Sequence, residues 1–126
     1  MRAIIIDDET GSRNNLKFLL ERFCPQVELA GWAEDAKSGL ELIAAERPDI
    51  VFLDIEMPYV NAFDLLVQLE TIDYDIIFIT AFDQYAVKAF ILSEVHYLLK
   101  TLYIEELISA VDKDKSRIVK SQKINQ

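Results

Sequence analysis

The sequence predicts an α/β fold, a five-stranded parallel sheet with helices on both faces. Two observations carry that prediction. Five short runs rich in β-branched and aromatic residues alternate with segments whose apolar residues recur at helical spacing, and strictly alternating strands and helices build parallel sheets covered on both sides. Three of the runs, Arg2 to Asp7, Ile50 to Asp54 and Asp75 to Thr80, are almost continuously apolar, as strands buried on both faces are.

Taken in order, Arg2 to Asp7 is the first strand, and it ends in Asp7 and Asp8. Thr10 or Ser12 is expected to cap the following helix, whose Leu16, Leu19, Leu20 and Phe23 share one face; Cys24-Pro25 stops it. Val27 to Ala33 sets Val27, Leu29, Gly31 and Ala33 against Glu28, Ala30 and Trp32, the alternation of an edge strand. Asp35 or Glu34 opens a second helix with Ala36, Leu40, Ile43 and Ala44 inward, closed by Pro48. Ile50 to Asp54 is the third strand, Ala62 to Ile72 a third helix, and Asp75 to Thr80 the fourth strand, ending in a hydroxyl. Gln84 to Leu92 reads as a fourth helix, Glu94 to Leu99 as the fifth strand, and Ile104 to about Val119 as a fifth helix. There is no internal repeat. Residues 1–120 are read as one domain, and residues 121–126 as a polar tail or the start of a linker.

Composition narrows the function classes. The 126 residues, 52% of them hydrophobic, suit one globular domain with a real core. No apolar run is long enough to span a membrane and no signal-peptide pattern opens the chain, so a cytoplasmic protein without membrane contact is expected. Cys24 is the single cysteine, which excludes an internal disulfide and a cysteine-based zinc cluster; it is read as a packing residue. The 13 Lys/Arg and 22 Asp/Glu give a net charge of −9. Residues 113–126 hold five of the former and one of the latter, leaving 8 and 21, a net of −13, for residues 1–112. Such a body does not grip nucleic acid through a basic surface, and it repels phosphate unless a metal ion or a local cation intervenes.

The residues that end the strands are Asp7 and Asp8, Asp54, Thr80 and Lys100. In a parallel sheet all of these lie along the carboxyl edge, where open α/β sheets place their ligand sites. With the first and third strands as neighbours, three carboxylates meet, an arrangement that calls for a cation or a shared proton. Oxygen-only donors favour Mg²⁺. Lys100 adds a fixed positive charge and Thr80 a hydrogen-bond donor, so the set suits a phosphoryl group attacked by the Asp54 carboxylate.

Four stretches, Ile6-Asp7-Asp8-Glu9, Phe52-Leu53-Asp54-Ile55-Glu56-Met57-Pro58, Ile79-Thr80-Ala81 and Tyr97-Leu98-Leu99-Lys100, together resemble a bacterial response-regulator receiver domain over residues 2–119. The resemblance implies a flavodoxin-like (βα)5 fold with strand order 2-1-3-4-5. It implies Asp54 as the acceptor of a phosphoryl group from a sensor histidine kinase. Asp8 and Asp54 would bind Mg²⁺ directly, Asp7 through water, and Glu56 through its backbone carbonyl. Thr80 and Lys100 would contact the phosphoryl group, and Tyr97 would be the aromatic switch that follows Thr80. It further implies a signalling switch rather than a metabolic enzyme, whose helix-four, strand-five and helix-five face controls an output domain or forms a homodimer. The run from Ala81 to Phe90 resembles receivers attached to LytTR-type DNA-binding domains, so DNA would be reached only through a C-terminal output domain and the role would be transcriptional.

Three positions depart from that family's pattern. Thr101 follows Lys100 where a proline is usual; a cis bond costs about 2.5–4 kcal/mol before a non-proline residue and roughly 0.5–1 before proline, so a trans bond is expected. Tyr59 and Ala62 stand where glycines are usual. A degenerate receiver, folded but serving as a phosphorylation-independent interaction module, is the competing reading. A phosphohydrolase of the haloacid dehalogenase type also uses a strand-end aspartate, and Asp54-Ile55-Glu56 faintly resembles its Asp-x-Asp signature. That signature belongs on a first strand, however, and the chain has no room for a cap domain. His96 is read as an edge-strand residue, Trp32 as a cover over the opposite edge strand, and Met57 and Phe63 as packing groups.

Overall fold

The computed structural model describes residues 1–54, 74–81 and 96–113, the side chains of Thr80, His96 and Tyr97 excepted. Its five strands are β1 (Arg2–Ile6), β2 (Glu28–Ala33), β3 (Ile50–Asp54), β4 (Asp75–Thr80) and β5 (His96–Leu99). They form one sheet in the order β2-β1-β3-β4-β5, and every pairing is parallel. Helices α1 (Thr10–Phe23) and α2 (Ala36–Glu46) lie between the first three strands in sequence, and residues 104–113 are helical. The helices expected over 62–72 and 84–92 fall outside the described residues.

The sheet divides two apolar clusters, as side chains alternate across a strand. On one face Ala3, Ile5, Ile50, Phe52, Ile77 and Ile79 pack with Leu16, Leu19 and Leu20 of α1 and with Leu107 and Val111 of the C-terminal helical segment. On the other, Ile4, Ile6, Val51, Leu53, Ile76 and Phe78 pack with Ala36, Leu40 and Ile43 of α2. Burial of all five β3 residues follows from its central place, with neighbours on both edges and both faces.

Three local expectations are corrected, and one, Asp35 as the residue that opens α2, is borne out. The α1 N-cap is Glu9, which makes no side-chain capping bond; the Thr10 hydroxyl instead accepts from Arg13. The α2 N-cap is Asp35, whose carboxylate accepts from the Ser38 backbone N–H at 2.7 Å. Ala44 is exposed and Gly39 is buried in its stead, because α2 approaches β1 so closely that a Cβ on Gly39 would lie 2.7 Å from Ile6 Cδ1. In β2 the alternation does not keep one face. Ala3 pairs with Leu29 but Ile4 with Gly31, so an irregularity at Ala30 shifts the register; Leu29 then packs with the α1 cluster and Ala33 with the α2 cluster.

Candidate functional site

Strand register brings the predicted residues to one edge. Ile6 pairs with Leu53, so Asp7, the next residue, stands level with Asp54. Asp54 pairs with Ile79 and Thr80 with Leu99, which puts Thr80 one step and Lys100 two steps further along the same edge. The buried runs end here because their last members are polar and the backbone leaves the ladder. Asp7 and Asp54 nonetheless stay buried, at 5% and 7% exposure, while Asp8 is exposed. One carboxylate oxygen from each of Asp7, Asp8 and Asp54 lies within 4.8 Å of the others.

Lys100 closes the group from the end of β5. Its Nζ donates to Asp7 Oδ2 and to Asp54 Oδ2, each at 3.2 Å. Burial pulls the ammonium pKa down, but the charges of Asp54 and Asp7 and their hydrogen bonds outweigh it and leave it above the ordinary value. The Lys100–Thr101 peptide is cis, which overturns the trans bond expected from the sequence. That expectation weighed only the local preference at Thr101, whereas the chain here is placed by a lysine held between two carboxylates on other strands.

Asp7 is held at every polar atom. Its N–H donates to Ala33 O at 3.0 Å, its Oδ1 accepts from the Glu9 N–H at 2.9 Å, its Oδ2 meets Lys100, and its carbonyl accepts from Arg13 Nη1 at 2.7 Å. Arg13 was not read as part of the site. Its signal lay in spacing, three residues before Leu16 and seven before Leu20, which puts a basic residue on the buried face of α1 beside an acidic strand end. The side chains of Thr80 and Tyr97, and Glu56, Tyr59 and Ala62 altogether, lie outside the described residues. Cys24 is fully buried at the end of α1, and burial, with the nearby Asp112 carboxylate adding to it, pushes its thiol pKa up. This fits packing rather than reactivity.

Residues 3–112 match the response regulator receiver domain family. The chain belongs to that family. Among curated relatives, the sensory transduction protein LytT of Bacillus cereus is 37% identical over 119 residues, which are 93% of this chain and 48% of the relative. The receiver thus spans about half the length of the curated relatives it matches. The crystal structure of the response regulatory domain of protein mrkE from Klebsiella pneumoniae superposes with a TM-score of 0.83 at 28% identity, covering 93% of this chain and 97% of that one. A DNA-binding response regulator of the LuxR family from Staphylococcus aureus gives 0.79 at 26% identity, covering 90% and 97%. Family membership sets the haloacid dehalogenase reading aside, and the placement of Asp54 on the third strand agrees. No helix among the described residues is long and apolar enough to cross a membrane.

Proposed function

We propose that this receiver takes a phosphoryl group from a histidine kinase onto Asp54 and passes the change to an output domain. The observation that carries the reading is the Lys100 ammonium bridging Asp7 and Asp54 inside a cluster of three carboxylates. Three carboxylates within 4.8 Å form a hard, oxygen-only donor set, beside which Lys100 places one positive charge and a divalent cation would place two more. The donors therefore fit Mg²⁺, which Asp7, Asp8 and Asp54 would hold, with Glu56 added by the family resemblance. Bound there, the ion supplies charge neutralisation and polarises a phosphoryl oxygen.

The protein's own part is positioning. Asp54 is buried at the end of a strand fixed on both sides, so its carboxylate is presented without a search over conformers. One Asp54 oxygen forms the new O–P bond as the N–P bond to the kinase histidine breaks, and the electron pair returns to the imidazole. Lys100 faces the developing charge on the phosphoryl oxygens and Thr80 donates to one of them. Tyr97 follows Thr80, and the surface of the fourth predicted helix, β5 and the C-terminal helix changes partners, a second copy of the chain or the output domain.

The family match over residues 3–112 supports residues 1–120 as the receiver, and a linker beginning at 121–126 and a place in the cytoplasm belong to the same proposal. A transcriptional output is supported by the half-length coverage of the relatives and by the DNA-binding neighbour. Incubation with a small acyl phosphate and Mg²⁺, followed by intact-mass spectrometry, is expected to add one phosphoryl group to the wild type and none to Asp54→Ala. A wild type that binds Mg²⁺ yet gains no mass under any donor supports the degenerate module instead.

A further inference from the structure

We infer that Arg13 is a positioning residue for the acidic cluster: its guanidinium, braced on the Trp32 ring, fixes the peptide that joins Asp7 to Asp8. This rests on the metal-binding reading above. The Asp7 N–H is the last that the β1–β2 ladder holds, through Ala33 O. The Asp7 carbonyl lies beyond the ladder, and Arg13 Nη1 supplies its donor at 2.7 Å. That carbonyl belongs to the Asp7–Asp8 peptide, which is planar, so a bond to it fixes the orientation of the unit from which Asp8 hangs. Asp8 is exposed, and its placement depends on that backbone.

Arg13 is itself held on three sides. It is 9% exposed, its Nη2 donates to Thr10 Oγ1 at 3.1 Å, and its Cζ lies 4.1 Å from the centroid of the Trp32 ring. Trp32 is 55% exposed on the edge strand, a large ring whose inner face meets the guanidinium by a cation–π contact. A planar fork that donates in two directions while stacking is a task for arginine, and lysine does not reproduce it.

A simpler role, a positive charge near the carboxylates, predicts the opposite sign. A cation beside a metal site weakens Mg²⁺ binding, so its removal would tighten binding; a lost positioning bond loosens it. Calorimetric titration of the intact chain with Mg²⁺, well below each variant's thermal midpoint, separates the two. Arg13→Met is expected to weaken Mg²⁺ affinity by about 10-fold or more, the scale on which partners that orient metal ligands act. Arg13→Lys, which keeps the charge and is the safer variant for folding, is expected to fall between it and the wild type, as is Trp32→Leu. Unchanged or tighter binding by Arg13→Met, or by Arg13→Lys where the first does not fold, overturns the inference alone. A wild type that binds no Mg²⁺ overturns the metal reading and this inference with it.

Discussion

Lys100 is the residue on which the site's charge balance turns, and its behaviour with pH is dictated by its partners. Asp54 and Asp7 raise its pKa above the ordinary 10.5 despite burial. A lysine with a raised folded pKa contributes stability that is fully present below its unfolded value and is lost as pH rises through the folded one. The contribution is therefore constant through neutrality and fades above about pH 10.5. Lys100→Met, which leaves two adjoining carboxylates without this cation, is expected to cost about 2 kcal/mol in the metal-free protein at pH 7. Urea denaturation at pH 8 and at strongly alkaline pH checks it, with the gap between wild type and variant narrowing at the higher pH. An equal gap at both values would mean that Lys100 acts by packing its stem and not by charge. The position of Lys100 was legible because it ends a strand; its aim was not, since that is set by Asp7 and Asp54, which lie 93 and 46 residues away in sequence. Arg13 was missed for a related reason: a search for apolar periodicity passes over a cation that belongs to the same helical face.

Among the elements, α1 and the central strands were read correctly because each buries one simple pattern, Leu16, Leu19 and Leu20 on the helix and unbroken apolar runs on β1 and β3. Apart from the cap of α1, the errors fell where two elements meet. The irregularity in β2 is invisible to an alternation count, and the inward face of α2 was misread at Ala44 because Gly39 lets the helix settle onto β1. Gly39 has no need of unusual backbone angles, so its role is the space itself. Alanine there gains about 1 kcal/mol in helix propensity but meets Ile6 Cδ1 at 2.7 Å and two further Ile6 atoms at 3.3 Å. Overpacking of a fully buried site costs about 1–3 kcal/mol, so Gly39→Ala is expected to be net destabilising by about 1 kcal/mol. Ile6→Val removes Cδ1 and by itself costs about 1 kcal/mol. The double variant is expected to be more stable than the sum of the singles, as read from a denaturation cycle. Strict additivity would show that the helix shifts away and the two residues no longer touch.

At the scale of the whole molecule, the fold class followed from the alternation of elements, and the strand order from the family resemblance carried by motifs at the ends of the first, third, fourth and fifth strands. What composition could not say is how an acidic body would tolerate the proposed phosphoryl donor. The net −13 of residues 1–112 repels anions at long range, and salt screens that repulsion over about 8–10 Å. The three clustered carboxylates repel one another at a distance too short for such screening. The two effects separate experimentally, because general screening depends on ionic strength while the cluster responds to a divalent ion in particular. A ligand that binds only the folded state, present at ten times its dissociation constant, stabilises by about 1.4 kcal/mol. For a domain of this size that is a rise in thermal midpoint of about 4–7 °C. Mg²⁺ is expected to produce this rise beyond what NaCl gives at matched ionic strength, and Asp8→Asn, changed at the exposed member of the cluster, is expected to keep the NaCl effect and lose the Mg²⁺ increment. An equal Mg²⁺ increment in Asp8→Asn would move the effect from the cluster to the acidic surface as a whole, and with it the reason for the strand-end carboxylates.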